Sequence, residues 1–121
     1  MAEEHAFINR LVSPGFKSRV YGWGRIVMEM DRVTGRSCPA SEDSLRRVLG
    51  SSTEIRLLAG SDLPHVMAPL QSLQVQAIQA LAAWGPKHRA VIEEFAENTE
   101  SETLELIARS CLKRRRGAKR P

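Results

Sequence analysis

Side chains that could bind a metal or attack a substrate are few and scattered along the chain. The two cysteines, Cys38 and Cys111, lie far apart in sequence, and none of the three histidines clusters with either of them. A structural zinc site usually needs four Cys or His ligands at short spacings. We therefore predict no metal site and no cofactor. We expect reduced thiols rather than a disulfide, because the N-terminus lacks the layout of an export signal.

Four residues have both a chemical and a structural interpretation. Cys111 lies close to a cationic tail that could activate its thiol, but it also falls on an apolar helical stripe, which favours a buried position. His88 has a cation on either side and could face an anion, although partial burial is the favoured interpretation. Trp23 and Trp84 could stack on nucleic-acid bases. Both tryptophans occupy apolar stripes, so we expect them in the core.

The sequence contains none of the motifs that identify common enzyme classes. The glycines of GWGR at 22–25 do not form a GxxxxGK[ST] phosphate loop, and no GxSxG, HExxH or paired CxxC occurs. One set of carboxylates resembles an acid–base group, namely Glu93, Glu94, Glu97, Glu100, Glu102 and Glu105. Their varied angles on two amphipathic helices favour a solvated face instead. We therefore predict that the protein is not an enzyme.

Charge is segregated along the chain. The formal net charge of the 121 residues is +4, but residues 113–121 (KRRRGAKRP) hold six basic residues and no acid. The remaining residues hold twelve basic and fourteen acidic side chains, a net charge of −2. Residues 9–47 are basic on balance, and residues 48–112 are acidic. A dense basic end beside an acidic body is typical of a tail that binds a polyanion, and a solvated, disordered end is the alternative.

The spacing of apolar residues predicts an all-α protein, a single compact bundle of five or six helices. No strand of convincing length and no internal repeat is evident. The first predicted helices cover residues 2–12, a stripe from Phe16 through Val20, Trp23 and Val27 to Met30 that ends at Thr34, and residues 42–49 with Ser41 as N-cap. Two more cover residues 68–84 and 86–97. The last follows Thr99 and carries the stripe Leu104, Ile107, Ala108 and Cys111.

Some local features leave alternatives open. Gly22 and Gly24 lie inside the second predicted helix, which suggests close approach of another helix or a bend. Residues 53–59 fit either a short helix or an extended segment. Thr99 and Glu102 have the spacing of a capping box, with Thr99 as the N-cap. The polar break before this last helix gives the C-terminal half the pattern of a helix-turn-helix.

These patterns predict two parts, a helical domain over residues 1–112 and a disordered basic tail over residues 113–121. No apolar run approaches the ~20 residues of a membrane span, so no membrane partner is expected. The acidic start of the chain, MAEEHAFINRLV, does not resemble a signal peptide. We therefore expect the protein in the cytoplasm.

Three stretches resemble a known family. YGWGRIVMEMDRVTGRSCPAS (21–41) and VQAIQALAAWGPKHRAVIEEF (75–95) resemble parts of the phage late-gene antitermination proteins of the Q class. The second pattern also resembles sigma-factor region-four-like domains. ETLELIARSC (102–111) is similar to the first helix of a helix-turn-helix. Members of the family continue with a recognition helix, whereas this sequence has LKRRRGAKRP at that place.

The resemblance implies a DNA-binding transcription regulator that acts on RNA polymerase and its sigma factor near a late promoter, in the host bacterial cytoplasm. With the charge pattern, it assigns DNA-phosphate contacts to Arg46, Arg47, Lys113, Arg114, Arg115, Arg116, Lys119 and Arg120. It assigns contacts with a protein partner to Glu93, Glu94, Glu97 and Glu100. The alternative is a small helical phage inhibitor or adaptor that binds a host protein complex. A homodimer formed through the stripe at 70–84 stays open.

Overall fold

A computed structural model describes residues 4–13, 20–53, 55–57 and 68–117 of the chain. Within these residues it contains six α-helices: α1 (Ala6–Leu11), α2 (Trp23–Thr34), α3 (Pro39–Leu49), α4 (Pro69–Trp84), α5 (Arg89–Asn98) and α6 (Glu102–Gly117). A 3-10 turn at Pro86–His88 precedes α5. The six helices pack compactly, which confirms the predicted all-α class.

The central helix is α4, which packs against α2, α3, α5 and α6. Its start follows from Pro69 at the first helical position, where proline's missing N–H costs no hydrogen bond. Its end follows from Gly85, whose φ of 135° is a conformation that residues with a Cβ rarely adopt. The predicted stripe is confirmed at its middle, because Leu73, Ala77 and Leu81 are fully buried.

The core lies around α4 and is made of aliphatic side chains from every helix. The largest fully buried apolar side chains are Ile8, Ile26, Met30, Val33, Leu45, Val48, Leu73, Ile78, Leu81 and Ile92. On α2 the buried positions recur at four and three residues, so one face of that helix is covered along its whole length. Burial of this apolar surface is the main stabilising contribution to the bundle.

The prediction that the second helix begins near Phe16 is wrong where the structure describes it. Val20–Tyr21 forms a two-residue strand, β1, and α2 begins only at Trp23. The strand pairs in parallel with a second strand, β2, at Arg56–Leu57. The extended alternative for residues 53–59 is therefore correct at 56 and 57. Residues 14–19 and 58–67 lie outside the described part of the chain.

The interpretation of the two glycines as a close helix contact is also wrong. Gly22 is the N-cap of α2 and has an extended backbone. Gly24 is exposed, and a Cβ added to it would meet nothing within 4 Å. The buried face of α2 is carried instead by Ile26, Met30 and Val33, while Trp23 is partly buried at its start.

Two predicted helix caps are displaced. Helix α3 begins at Pro39 with Cys38 as N-cap, so Ser41 lies in the first turn, where it is buried. Helix α6 is capped by Ser101, whose Oγ accepts a hydrogen bond from the backbone N–H of Leu104 at 3.2 Å. Thr99 accepts the backbone N–H of Ser101 at 3.2 Å and therefore shapes the turn before the helix.

Helix α6 continues through the start of the basic run and ends at Gly117. The predicted boundary between domain and tail at residue 112 stays a prediction. The predicted phosphate contacts at Lys119 and Arg120 lie outside the described residues.

Candidate nucleic-acid interface

The last two helices form the element that carries the basic run. Helices α5 and α6 are joined by the three residues 99–101 and pack against each other. The Arg89 guanidinium at the start of α5 donates a hydrogen bond to the Leu112 carbonyl late in α6, at 3.3 Å. The two helices therefore run antiparallel, as in an αα-hairpin.

One side of α6 is buried and the other faces solvent. Leu104, Ala108 and Cys111 are buried, which agrees with the favoured interpretation of Cys111 as a core residue. The exposed residues from the start of the helix to Lys113 are Glu102, Thr103, Leu106, Arg109, Ser110 and Lys113. Leu106 is the more exposed of two large apolar side chains on the described surface, at 67%.

Charge along α6 changes sign from its first turn to its last. Glu102 and Glu105 lie in the first turn, and Arg109 pairs with Glu105 at 2.9 Å. Lys113 is exposed, and residues 113–116 are four consecutive basic residues that span just over one helical turn. Acids near the start and bases near the end both suit the helix dipole. The structure thus places the first half of the basic run on a helix.

The other predicted phosphate contacts lie on α3 in a different setting. Arg46 and Arg47 are both exposed. The Nε of Arg47 donates a hydrogen bond to the Asp43 carboxylate at 2.9 Å, one turn earlier on the same helix. Arg46 lines a cleft together with Glu94 and Glu100 and forms no ion pair with a described residue. Arg47 is therefore paired with a carboxylate, whereas Arg46 shares a cleft with two.

The cleft between α3, α4 and α5 has a volume of about 630 Å³. We call it the α3–α5 cleft and define it by Arg46, Leu49, Gln74, Phe95, Glu94 and Glu100. Leu49 and the half-buried Phe95 supply apolar surface. Gln74 is buried, and its Nε2 donates hydrogen bonds to the carbonyls of Val48 and Ser51 at 3.1 and 3.2 Å. These two bonds hold the loop after α3 against α4.

The four glutamates predicted to bind a protein partner are not equivalent. Glu93 forms an ion pair with Arg89 at 3.0 Å. Glu94 and Glu100 line the α3–α5 cleft, and Glu97 is exposed outside it. None of these last three forms an ion pair with a described residue. Sequence spacing did not indicate that two of the acids lie beside Arg46.

A polar group between α1 and α3 was missed by sequence reasoning. His5 Nε2 lies 3.1 Å from Ser41 Oγ, and the Cys38 thiol donates to the same oxygen at 3.3 Å. In the thiolate form the hydroxyl and the backbone N–H of Ser41 can donate to the Cys38 sulfur instead, which lowers the pKa of Cys38 from its usual value. Nothing in the spacing of residues 5, 38 and 41 signals this contact. Among the described residues, no group of three or more His, Cys, Asp or Glu side chains could hold a metal ion.

His88 is buried more deeply than the partial burial favoured from sequence, at 2% exposure. Its Nε2 lies 3.1 Å from a carboxylate oxygen of Glu42, without the geometry of a hydrogen bond. Burial disfavours the charged imidazolium and lowers the pKa of His88, although Glu42 acts in the opposite direction. The positive charges of Lys87 and Arg46 lower it further. His88 is therefore a buried side chain that faces the Glu42 carboxylate of α3.

The chain matches no protein-family model, and no curated protein or solved structure is significantly similar to it. The resemblance to Q-class antitermination proteins therefore stays a hypothesis. Within the described residues, no helix is long and apolar enough to cross a membrane.

Proposed function

We propose that the protein is a DNA-binding transcription regulator that contacts phosphates through its basic C-terminal segment, residues 113–121. The observation that carries the proposal is the continuation of α6 into this segment. The helix runs for sixteen residues and ends inside the basic run, with Lys113 exposed. Phosphate contacts need positive charge and little sequence geometry.

The antiparallel packing of α5 and α6 supports a particular mode of binding. In this hairpin the most basic part of the described chain is the end of α6, and not the exposed side that runs along that helix. The exposed side chains of its first turn are acidic, which disfavours insertion of that turn into a groove. We infer that this end contributes phosphate contacts that depend weakly on DNA sequence, so that a preference of the regulator for one duplex comes from the helical body.

A more specific version of the proposal is the role in antitermination that the resemblance implies. In that role the protein binds near a late promoter in the host cytoplasm and contacts RNA polymerase and its sigma factor. Support comes from the acidic side of α5 and the turn after it, where Glu94, Glu97 and Glu100 make no ion pair with a described residue. Unpaired carboxylates are available to a basic surface of a partner.

A second candidate is a small helical inhibitor or adaptor that binds a host protein complex. The specific observation in its favour is the exposed Leu106 on the outer side of α6. A partner that docks on this side of α6 would cover Leu106, although a single exposed leucine is also ordinary on a protein surface. In that case the basic segment contributes to docking or solubility, and DNA binding is weak and unspecific.

The test is a titration of labelled duplexes with the full chain, followed by fluorescence anisotropy at several salt concentrations. We expect a log–log salt slope between about −4 and −6, at ~0.9 per phosphate contact. The triple variant R114Q/R115Q/R116Q should reduce the magnitude of the slope by roughly 2.7. The matched control is R10Q/R32Q/R36Q, which removes three exposed cations from other parts of the surface.

Two results would separate the candidates. Preference for a promoter-proximal duplex over a random one, retained in the triple variant, indicates that the helical body reads sequence and supports the regulator. Equal, weak binding of all duplexes that vanishes in the triple variant favours the adaptor. If the triple variant and its control change the slope equally, the assignment of phosphate contacts to the basic C-terminal segment is wrong.

A further inference from the structure

The α3–α5 cleft is lined by charges of both signs that do not pair with one another. Arg46 lies in the last turn of α3, Glu94 lies on α5, and Glu100 lies in the turn after α5. None of the three forms an ion pair with a described residue, and the Arg46 guanidinium forms no hydrogen bond with one. The guanidinium and the two carboxylates are therefore available to a ligand that carries both charges.

A buried amide adds a fixed hydrogen-bond acceptor to the same cleft. Gln74 is 6% exposed, and its Nε2 donates to the carbonyls of Val48 and Ser51. Because both partners are acceptors, the amide cannot be turned over, and Oε1 keeps its place. Oε1 accepts no hydrogen bond from a described residue. Solvent reaches it, because among the described side-chain atoms only His88 Nε2 is both buried and without a partner. The cleft thus offers a preset acceptor to an N–H group.

The cleft also has apolar surface and the size of a small-molecule site. Leu49 and the half-buried Phe95 line it. Its volume of about 630 Å³ falls within the range of roughly 300–1,000 Å³ that is typical of ligand pockets. Such pockets combine apolar walls with a few polar groups that fix the orientation of the ligand. The α3–α5 cleft therefore suits an apolar body with charged ends better than a single ion.

We propose that the α3–α5 cleft binds a small zwitterion with an apolar body, the chemistry shared by short apolar peptides and apolar amino acids. The ligand carboxylate pairs with Arg46, and its ammonium group pairs with Glu94 and Glu100. An N–H group donates to Oε1 of Gln74. A purely basic ligand, such as residues 113–121 of this chain, suits the glutamates but brings like charge to Arg46. A zwitterion uses every unpaired group.

Ligand binding in this cleft goes beyond the proposed DNA-binding function and does not rest on it. The ligand-binding groups lie on α3, on α4, and on α5 with the turn after it, whereas the main phosphate contacts are assigned to residues 113–121. The test contains no DNA, so failure of one proposal leaves the other standing.

Isothermal titration calorimetry of the full chain at low salt tests the proposal with leucyl-leucine and two capped forms of it. The N-acetylated form lacks the ammonium group, and the C-terminal amide form lacks the carboxylate. We expect saturable binding of leucyl-leucine and about tenfold weaker binding of each capped form, since a charge-assisted contact is lost. Leucine distinguishes the two sources of the ligand. Binding as tight as that of leucyl-leucine assigns the site to free amino acids, and weaker binding assigns it to short peptides.

Variants connect each charged end of the ligand to its protein group. R46Q should weaken binding of leucyl-leucine about tenfold, but it should not weaken binding of the amide form, which has no carboxylate to lose. E94Q/E100Q should weaken binding of leucyl-leucine about tenfold, but it should not weaken binding of the acetylated form. This pairing of ligand caps with substitutions reports contact, which a general change in surface charge does not reproduce.

The matched controls make the same changes in charge at exposed side chains outside the cleft. They are R47Q for R46Q, and E97Q/E102Q for the glutamate variant. Each control should change the affinity for leucyl-leucine less than about twofold. Circular dichroism checks that every variant is folded. If the controls weaken binding as much as the cleft variants do, the ligand does not contact the cleft and the proposal is wrong.

The basic segment of the chain itself is the competing occupant, and R114Q/R115Q/R116Q tests for it. We expect this variant to bind leucyl-leucine with the affinity of the native chain. Binding that is tighter by about tenfold or more would mean that the basic segment occupies the cleft as a high local concentration of competitor, and it would overturn the proposal. The absence of saturable binding of both leucyl-leucine and leucine would overturn it as well.

Discussion

Two basic segments that look alike in the sequence differ in the structure. The arginine pair of α3, Arg46 and Arg47, has carboxylates within its own surroundings, from Asp43 on the same helix and from Glu94 and Glu100 across the cleft. The basic run at 113–116 lies on the last turns of α6, away from the acids of that helix's first turn. Exposure alone does not distinguish them, because Arg46, Arg47 and Lys113 are all exposed.

The difference teaches that the charge a segment offers to a partner depends on its neighbours in space. An exposed ion pair such as Arg47 with Asp43 contributes little to stability, yet the carboxylate cancels much of the field that a phosphate would experience. The end of α6 carries four consecutive basic residues, and the exposed Lys113 among them forms no ion pair with a described residue. We therefore assign the main phosphate contacts to the basic C-terminal segment and only a minor part to α3.

The largest effect that we expect at the α3 pair comes from removing the acids around it. In the background D43N/E94Q/E100Q, the change R46Q/R47Q should weaken DNA binding about fivefold, a coupling of roughly 1 kcal/mol relative to the native background. The reason is that the arginines become available to phosphates only when their carboxylate neighbours are neutral. Fluorescence anisotropy at constant salt measures all four members of this cycle.

If R46Q/R47Q weakens DNA binding by the same factor in the native chain and in D43N/E94Q/E100Q, the nearby carboxylates do not limit the contribution of Arg46 and Arg47. The difference drawn here between the two basic segments would then be wrong. The matched background is E97Q/E102Q, because it also removes exposed acids but leaves the neighbours of Arg46 and Arg47 in place. In that background R46Q/R47Q should have the same small effect as in the native chain.

A smaller predicted effect concerns the pKa of His88, which the positive charge of Arg46 lowers. R46Q should therefore raise the pKa of His88 towards its ordinary value of 6.5. The unfolded chain binds a proton at His88 near pH 6.5, whereas the folded protein binds it only at lower pH. The free energy of unfolding therefore falls as the pH drops below about 6.5, and R46Q should make this fall smaller.

Nuclear magnetic resonance of the His88 ring and denaturant unfolding at a series of pH values measure these two quantities. R47Q serves as the control, because Arg47 is not among the causes of the His88 shift. If R46Q and R47Q change the pKa of His88 equally, Arg46 has no specific influence on that buried side chain. Arg46 and Arg47 would then not differ in their effect on His88.

Local periodicity was sufficient to predict the helices whose burial is regular. The positions of α4 and α5 follow from their apolar spacing and from Gly85 and Pro86 between them. The start of α2 could not be predicted in this way, because Val20 fits the helical stripe but forms a strand with Arg56, thirty-six residues later. Helix caps were misplaced at α3, where Pro39 starts the helix two residues before Ser41.

The residues of the candidate interface were predicted by type but not by arrangement. The density of charge in residues 113–121 is visible in the sequence. The neighbourhood of Arg46 is not, because Glu94 and Glu100 are about fifty residues away along the chain and reach it only through the packing of α3 and α5 around α4. No spacing rule links two segments that a third helix brings together.

The measurement that tests the central claim most directly is a comparison of two double variants, R115Q/R116Q and R46Q/R47Q, for binding of one DNA duplex at about 0.1 M salt. Each variant lowers the net charge of the protein by two. The account predicts that R115Q/R116Q weakens binding roughly tenfold, since two phosphate contacts are lost, and that R46Q/R47Q weakens it less than about twofold. Equal losses, or a larger loss in R46Q/R47Q, would contradict it.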